Sequence, residues 1–206
     1  ADGAVVVSHP DTEQVEEPLA AGTFFGEKSL LTGRPRAETV VASEECILVE
    51  TPRRVMVKLM NSSDEVKRGI EWVSTSRILS ELIAPKLGRK ELDSIVARIQ
   101  LQEFEAGETL YREGDTGSCF YFIRRGSVSL RTNFNGESRM INQVQSGGVV
   151  GLLAVMGDSI RRETAESSVR VEAVVINKKE FLQLLALDGS QINRLQDLAT
   201  TAMKEK

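Results

Sequence analysis

Two stretches decide how this chain reads: FGEKSLLTGRPRAETV at residues 25–40 and VGLLAVMGDSIRRETA at residues 150–165. Laid on each other, Gly26 meets Gly151 and Arg36 meets Arg161, with ten positions from glycine to arginine in both. Arg36-Ala37-Glu38-Thr39-Val40 then matches Arg161-Arg162-Glu163-Thr164-Ala165. Self-similarity of this kind signals one structural unit used twice. The first copy has the chemistry of an anion site. Gly26 lets the backbone turn tightly. Glu27 to Leu31 can begin a short helix, whose free N–H groups and positive dipole end attract negative charge. Arg36 returns with a fork of donors suited to a phosphate. Glu27 offers an acceptor for a hydroxyl donor such as a ribose. Together these residues describe a pocket for a compact sugar phosphate; a turn glycine lying beside an arginine, with no ligand, is the competing reading.

Working outward, β signals surround both stretches. Ala4-Val5-Val6-Val7, Thr39-Val40-Val41-Ala42 and Cys46-Ile47-Leu48-Val49 read as short strands. Thr51 followed by Pro52 predicts a helix start, with Val55, Leu59 and Met60 as its apolar stripe. Ser62 with Glu65 fits a capping box for a longer helix to Ala84, carrying Val66, Ile70, Val73, Ile78, Leu79 and Leu82 at near-helical spacing. Pro85 and Gly88 end it. A shorter helix is predicted from Lys90 to Arg98. Strands then return from Leu101 to Ile176, with Asn135-Gly136 as a hairpin turn. Asn177 with Glu180 marks another helix start, and a last helix runs from Ser190 to Lys204, with Ile192, Leu195, Leu198, Ala199, Ala202 and Met203 along one face. Strands, helices, strands, helices is the order of two β-rich units with helical appendages, not of an alternating α/β sheet.

The repeat extends upstream, where Gly3-Ala4-Val5 matches Gly126-Ser127-Val128 with two residues of slippage. The second unit has Leu101 to Arg125 before its Gly126, whereas only Ala1 and Asp2 precede Gly3. The first unit is therefore expected to lack its opening strands and to present an exposed edge. The chain opens on Ala1 without a signal peptide and reads as a piece of a longer protein.

Composition narrows the function classes. The 206 residues are 41% hydrophobic and 27% charged, with a net charge of -4 and acids and bases interspersed. No basic field invites a nucleic-acid backbone, and no apolar run reaches the roughly 18–20 residues of a membrane span. His9 is the only histidine and sits in a polar turn, His9-Pro10-Asp11, which excludes a histidine-rich metal site. Cys46 and Cys119 are the only cysteines, without zinc spacing. Both lie in apolar runs and are expected as buried free thiols, which fits a reducing, cytoplasmic setting.

Phe25-Gly26-Glu27, then Leu30-Leu31, then Arg34-Pro35-Arg36-Ala37-Glu38-Thr39-Val40 resemble the phosphate-binding cassette of cyclic nucleotide-binding domains. Phe104-Glu105-Ala106-Gly107-Glu108, Gly114-Asp115 and Phe120-Tyr121-Phe122-Ile123 with Gly126 resemble that family's opening strands. The resemblance implies a mainly β fold with flanking α-helices: two jelly-roll-like β-barrels, the first truncated at its N-terminus. It implies a partial domain at 1–62, a helical linker at 63–98, and a complete domain with a C-terminal helix at 99–206. It also implies cAMP or cGMP as ligand, with no other cofactor, no metal and no catalytic residue.

By the same resemblance, Glu27 accepts from the ribose 2'-hydroxyl, Arg36 grips the cyclic phosphate, and the N–H groups of Lys28 and Ser29 complete the site with Gly26, Ala37 and Thr39. Ala37, rather than a Thr or Ser after the arginine, leans towards cAMP. In the second cassette Gly151, Leu152, Leu153, Arg161 and Thr164 are the counterparts, and Leu152 stands where the family has its glutamate. Losing such a partner costs about 2–5 kcal/mol; the second unit is thus a weak site, a site for another ligand, or structure alone. Trp72 is the candidate cap on the base, or else packs between units. The tandem arrangement is similar to regulatory subunits of cyclic-nucleotide-dependent kinases, so an effector outside the chain would read movement of the helices at 63–84 and 190–204. The alternative is a nucleotide-free interaction module, with the last helix as a docking or homodimer surface. The two differ in whether Glu27 and Arg36 are dispensable.

Overall fold

The computed structural model describes residues 2–8, 18–32, 35–36 and 38–201. The chain divides into two compact units, Ala1–Ser74 and Thr75–Lys206. His9, Arg34, Ala37, Ala202 and Met203 lie outside the described residues, as do the side chains of Lys28, Leu198 and Ala199.

In the first unit, β1 (Val5–Ser8), α1 (Glu27–Thr32), β2 (Thr39–Ala42) and α2 (Arg53–Ser62) follow in order. β1 pairs antiparallel with β2, from Val5 opposite Ala42 to Ser8 opposite Thr39. Val5 and Val7 are buried while Val6 and Ser8 are half-buried, as the two-residue period of a strand requires. α2 starts one residue later than expected: Pro52 is its N-cap, with no side-chain cap, and its Val55 and Leu59 stay exposed. α3 (Asp64–Leu82) follows directly, and the unit boundary falls within it. Ser63, not Ser62, caps it. Its Oγ accepts from the Val66 N–H at 3.3 Å, while its own N–H donates to Leu59 O and closes α2.

The second unit continues with α4 (Arg89–Val96) and then β3 (Gln100–Phe104), β4 (Thr109–Tyr111), β5 (Cys119–Arg125), β6 (Ser127–Phe134), β7 (Glu137–Gln145), β8 (Val149–Val150), α5 (Leu152–Met156), β9 (Thr164–Ser167), β10 (Val171–Asn177), α6 (Lys178–Leu187) and α7 (Ile192–Thr201). The eight strands form two antiparallel sheets, ordered β3-β10-β5-β8 and β4-β9-β6-β7. This is the jelly roll that the family resemblance implied. Its core joins Phe104, Tyr121, Ile123, Val128, Val150 and Ala173. β5 and β10 are apolar on both faces, because a helix covers the face that the core does not. Phe120 on β5 meets Phe181 on α6 edge to face at 5.4 Å, and both are buried. The β6–β7 hairpin turns at Asn135 (φ 52°) and Gly136 (φ 83°), a type I′ geometry that Asn-Gly favours. α6 begins after Asn177 as expected, but without a side-chain cap. Glu180 is instead buried, 3.7 Å from Arg98 Nε.

The strand expected at 46–49 is a correction. Only an isolated bridge from Ile47 to Asp2 forms, and Ile47, Leu48 and Val49 are 66%, 56% and 78% exposed. In the second unit the matching stretch is β10, which gains order from β3 and β5 on its two sides. Among the described residues the first unit has no such neighbours, and a strand without ladder partners is not stable in water. The two cysteines are free, but half-buried rather than buried.

Candidate functional site

The first cassette is built around the Gly26 turn. Gly26 adopts φ +83°, and a Cβ there would lie 2.1 Å from Arg36 Nη1. That close approach lets Arg36 Nη1 donate to the Gly26 carbonyl at 2.8 Å. The turn launches α1, whose first residue, Glu27, is only 3% exposed although it is a carboxylate. These residues border a cavity of about 610 Å³, also lined by Ser29, Leu30, Pro35, Arg53, Met56 and Ile70. The volume suits a small ligand. Arg36 is exposed and faces it.

The second cassette repeats this geometry with a different content. Gly151 adopts φ +76°, and Arg161 Nη1 donates to its carbonyl at 2.8 Å, the same bond at the same spacing. Here the arginine is 4% exposed. Its Nη2 donates to Cys119 O at 2.7 Å, and its guanidinium lies 4.1 Å from the centre of the Tyr111 ring. The Tyr111 hydroxyl donates to Glu163 Oε1 at 2.6 Å. Burial, and then the neighbouring Glu163 carboxylate, push the Tyr111 phenol well above its usual value. Tyr121 stacks on Tyr111 at 6.1 Å; it is also raised, by burial first and then by Cys119.

The remaining candidates divide between the two sites and the scaffold. Ser29 is half-buried on α1 and lines the cavity. Lys28 contributes backbone to α1. Thr39 opens β2, is exposed, and its carbonyl accepts from Ser8 Oγ at 3.4 Å. Leu152 opens α5 and is buried, and Leu153 is half-buried beside it. Thr164 Oγ1 accepts from the Glu113 N–H at 3.0 Å, which joins β9 to the loop after β4. Trp72 is half-buried on α3, and the cavity is lined by Val66, Gly69 and Ile70 of that helix rather than by Trp72.

Sequence reasoning missed three groups. Arg53 lines the first cavity and its Nη2 stands 3.5 Å from Leu30 O. The repeat contained its signal, since Arg53 opens α2 as Lys178 opens α6. Lys178 likewise reaches back to its own cassette, with Nζ 3.0 Å from Ser159 Oγ. Tyr111 and Cys119 were the other two, and nothing local marks them as neighbours of Arg161.

Comparison with known proteins agrees with this fold. The model of the cyclic nucleotide-binding domain matches residues 1–63 and 101–188. A cAMP-dependent protein kinase regulatory subunit of Mucor circinelloides f. lusitanicus is 30% identical over 80% of this chain and 38% of its own length. That of Yarrowia lipolytica is 27% identical over 80% of this chain and 42% of its own. The chain thus spans about two fifths of the length of these curated relatives. Among solved structures, the regulatory domain of Toxoplasma gondii PKA, crystallised with cAMP, aligns with a TM-score of 0.54 at 22% identity. That alignment covers 95% of this chain and 74% of the other, and it supports the fold. With one family model met by both halves of its repeat, the chain belongs to the cyclic nucleotide-binding domain family and carries that domain in tandem.

Proposed function

We propose that this chain is a regulatory sensor module that binds a cyclic nucleotide, cAMP in preference to cGMP, in its first cassette. The observation that carries the reading is the Arg36–Gly26 clamp beside a buried Glu27 on a cavity of about 610 Å³. In this reading Arg36 pairs with the cyclic phosphate and Glu27 accepts from the ribose 2'-hydroxyl. The N–H groups of Lys28 and Ser29 add donors to the same phosphate. Arg53 supplies a second positive charge on the cavity wall. The domains run 1–62, 63–98 and 99–206, and no residue has a catalytic role. Binding shifts the balance between helix positions by no more than the ligand's differential affinity for them. Similarity to kinase regulatory subunits supports a protein effector in the cytoplasm, such as a kinase catalytic subunit, as the reader of that shift.

Calorimetric titration of the chain with cAMP and with cGMP tests this. Saturable cAMP binding is expected, weakened by Arg36→Ala through loss of a charge pair worth about 2–5 kcal/mol. At about 1.4 kcal/mol per tenfold, that is roughly 30-fold or more in Kd. Absence of heat with either nucleotide refutes it and leaves the interaction module.

A further inference from the structure

The two cassettes share a spacing and a hydrogen bond, yet their arginines differ in what surrounds them. Among the described residues Arg36 makes one side-chain hydrogen bond, to Gly26 O, and is exposed on a cavity. Arg161 is enclosed. Its two terminal nitrogens are held by the carbonyls of Gly151 and Cys119, and its plane lies over Tyr111. Its third nitrogen, Nε, has no hydrogen-bond partner among the described residues. The flank beside it is closed by Gly117, where a Cβ would stand 2.7 Å from that nitrogen.

The helix that follows Gly151 is closed as well. Leu152, the residue in place of the family's glutamate, is 3% exposed, and Ala154 and Val155 are buried beside it. α7 packs against α5, with Leu195 fully buried. A ribose hydroxyl entering here would meet an isobutyl group instead of an acceptor, and a buried hydroxyl without a partner is unfavourable. A phosphate would have to draw Arg161 off two carbonyls and an aromatic face.

We propose that the second cassette is filled by the protein itself and takes no cyclic nucleotide. Arg161 is a core fastener joining β4, β5 and the cassette turn, and α7 is seated on the cassette helix. Sensing is then left to the first unit, a consequence that rests on the function proposed above.

The test uses the full 206-residue chain. Calorimetry with cAMP is expected to give one equivalent per chain, weakened about 30-fold or more in Arg36→Ala. Arg161→Lys keeps the charge but not the fork or the plane, and is expected to lower Tm by about 5–10 °C. Its unfolding is read from the tyrosine near-ultraviolet circular dichroism. A second equivalent of cAMP, or binding of undiminished affinity in Arg36→Ala, overturns the proposal. If the wild-type chain binds nothing, the proposed function fails while this inference is decided separately by NMR of the arginine Nε–H groups. An Arg161 signal protected from solvent exchange, and unmoved by millimolar cAMP, supports it; rapid exchange overturns it.

Discussion

Alanine at Gly151 and alanine at Gly26 make the same covalent change in the same turn, and they should have different consequences. Each forces an L side chain to hold a left-handed backbone, φ +76° at Gly151 and +83° at Gly26, at a cost of roughly 1–2 kcal/mol. Each also drives a Cβ onto the guanidinium ten residues ahead, 2.2 Å from Arg161 Nη1 and 2.1 Å from Arg36 Nη1. Arg36 is exposed and can swing aside, so Gly26→Ala should cost little beyond the backbone and act mainly on ligand affinity. Arg161 cannot step aside, and the new Cβ also meets Tyr111 Cε1 at 3.1 Å. Displacing Arg161 forfeits a charged hydrogen bond of about 1.5–3 kcal/mol and a desolvated cation–π contact of about 2 kcal/mol. The expected loss for Gly151→Ala is about 5 kcal/mol. At roughly 2–4 °C per kcal/mol this lowers Tm by about 10–20 °C, against about 2–8 °C for Gly26→Ala. The chain supplies a separate probe for each unit, since Trp72 lies in the first and both tyrosines lie in the second. Thermal melts followed by tryptophan fluorescence and by tyrosine near-ultraviolet circular dichroism therefore read the two losses independently. Equal and small shifts in both variants would refute the claim that Arg161 is a fastener of the core.

Three further outcomes follow from the same geometry. Tyr111 keeps its proton to higher pH in the folded chain than an unfolded tyrosine, which titrates near ~10. Its stabilising effect is therefore complete below that pH and falls away as pH rises towards the folded value. Tyr111→Phe should flatten this alkaline limb and cost about 1–3 kcal/mol at neutral pH, because Glu163 loses its donor; urea unfolding at a series of pH values measures both. Burial pushes the Asp188 carboxyl up, but the N–H groups of Lys86 at 2.8 Å and Ser190 at 3.0 Å outweigh it and hold the group below its ordinary value. That contribution is present above about pH 4 and disappears as pH falls through the folded value, so Asp188→Asn should weaken the acid dependence seen in acid titration by circular dichroism. In the β6–β7 turn, Gly136 has φ +83° with open space around it; Gly136→Ala should cost the backbone penalty alone, roughly 1–2 kcal/mol in urea unfolding.

Much of the fold was legible because its signals are local. Turn glycines, the Asn135-Gly136 hairpin and the start of α6 depend on residues close in sequence, and all of them appear where the pattern put them. Caps were read less well. Thr51 and Ser62 each missed by one residue, since neighbouring residues compete for a single cap geometry and backbone carbonyls settle which one succeeds. The stretch Cys46 to Val49 alternates and is apolar enough for a strand, yet it stays unpaired apart from one bridge. A strand is made by its partners, and those of its counterpart β10 come from β3 and β5, far away in sequence.

The sequence by itself determined that one unit occurs twice, that each copy carries a glycine and an arginine ten positions apart, and that Leu152 replaces a carboxylate. Those facts follow from residue identity and spacing. What became of the two arginines was decided by tertiary structure. Arg36 and Arg161 make the same bond to the same turn carbonyl, but Tyr111 and Cys119 close over only one of them. Those two residues lie 50 and 42 positions from Arg161 in the chain. Burial is a property of everything that packs around a side chain, and only the folded barrel brings that company together.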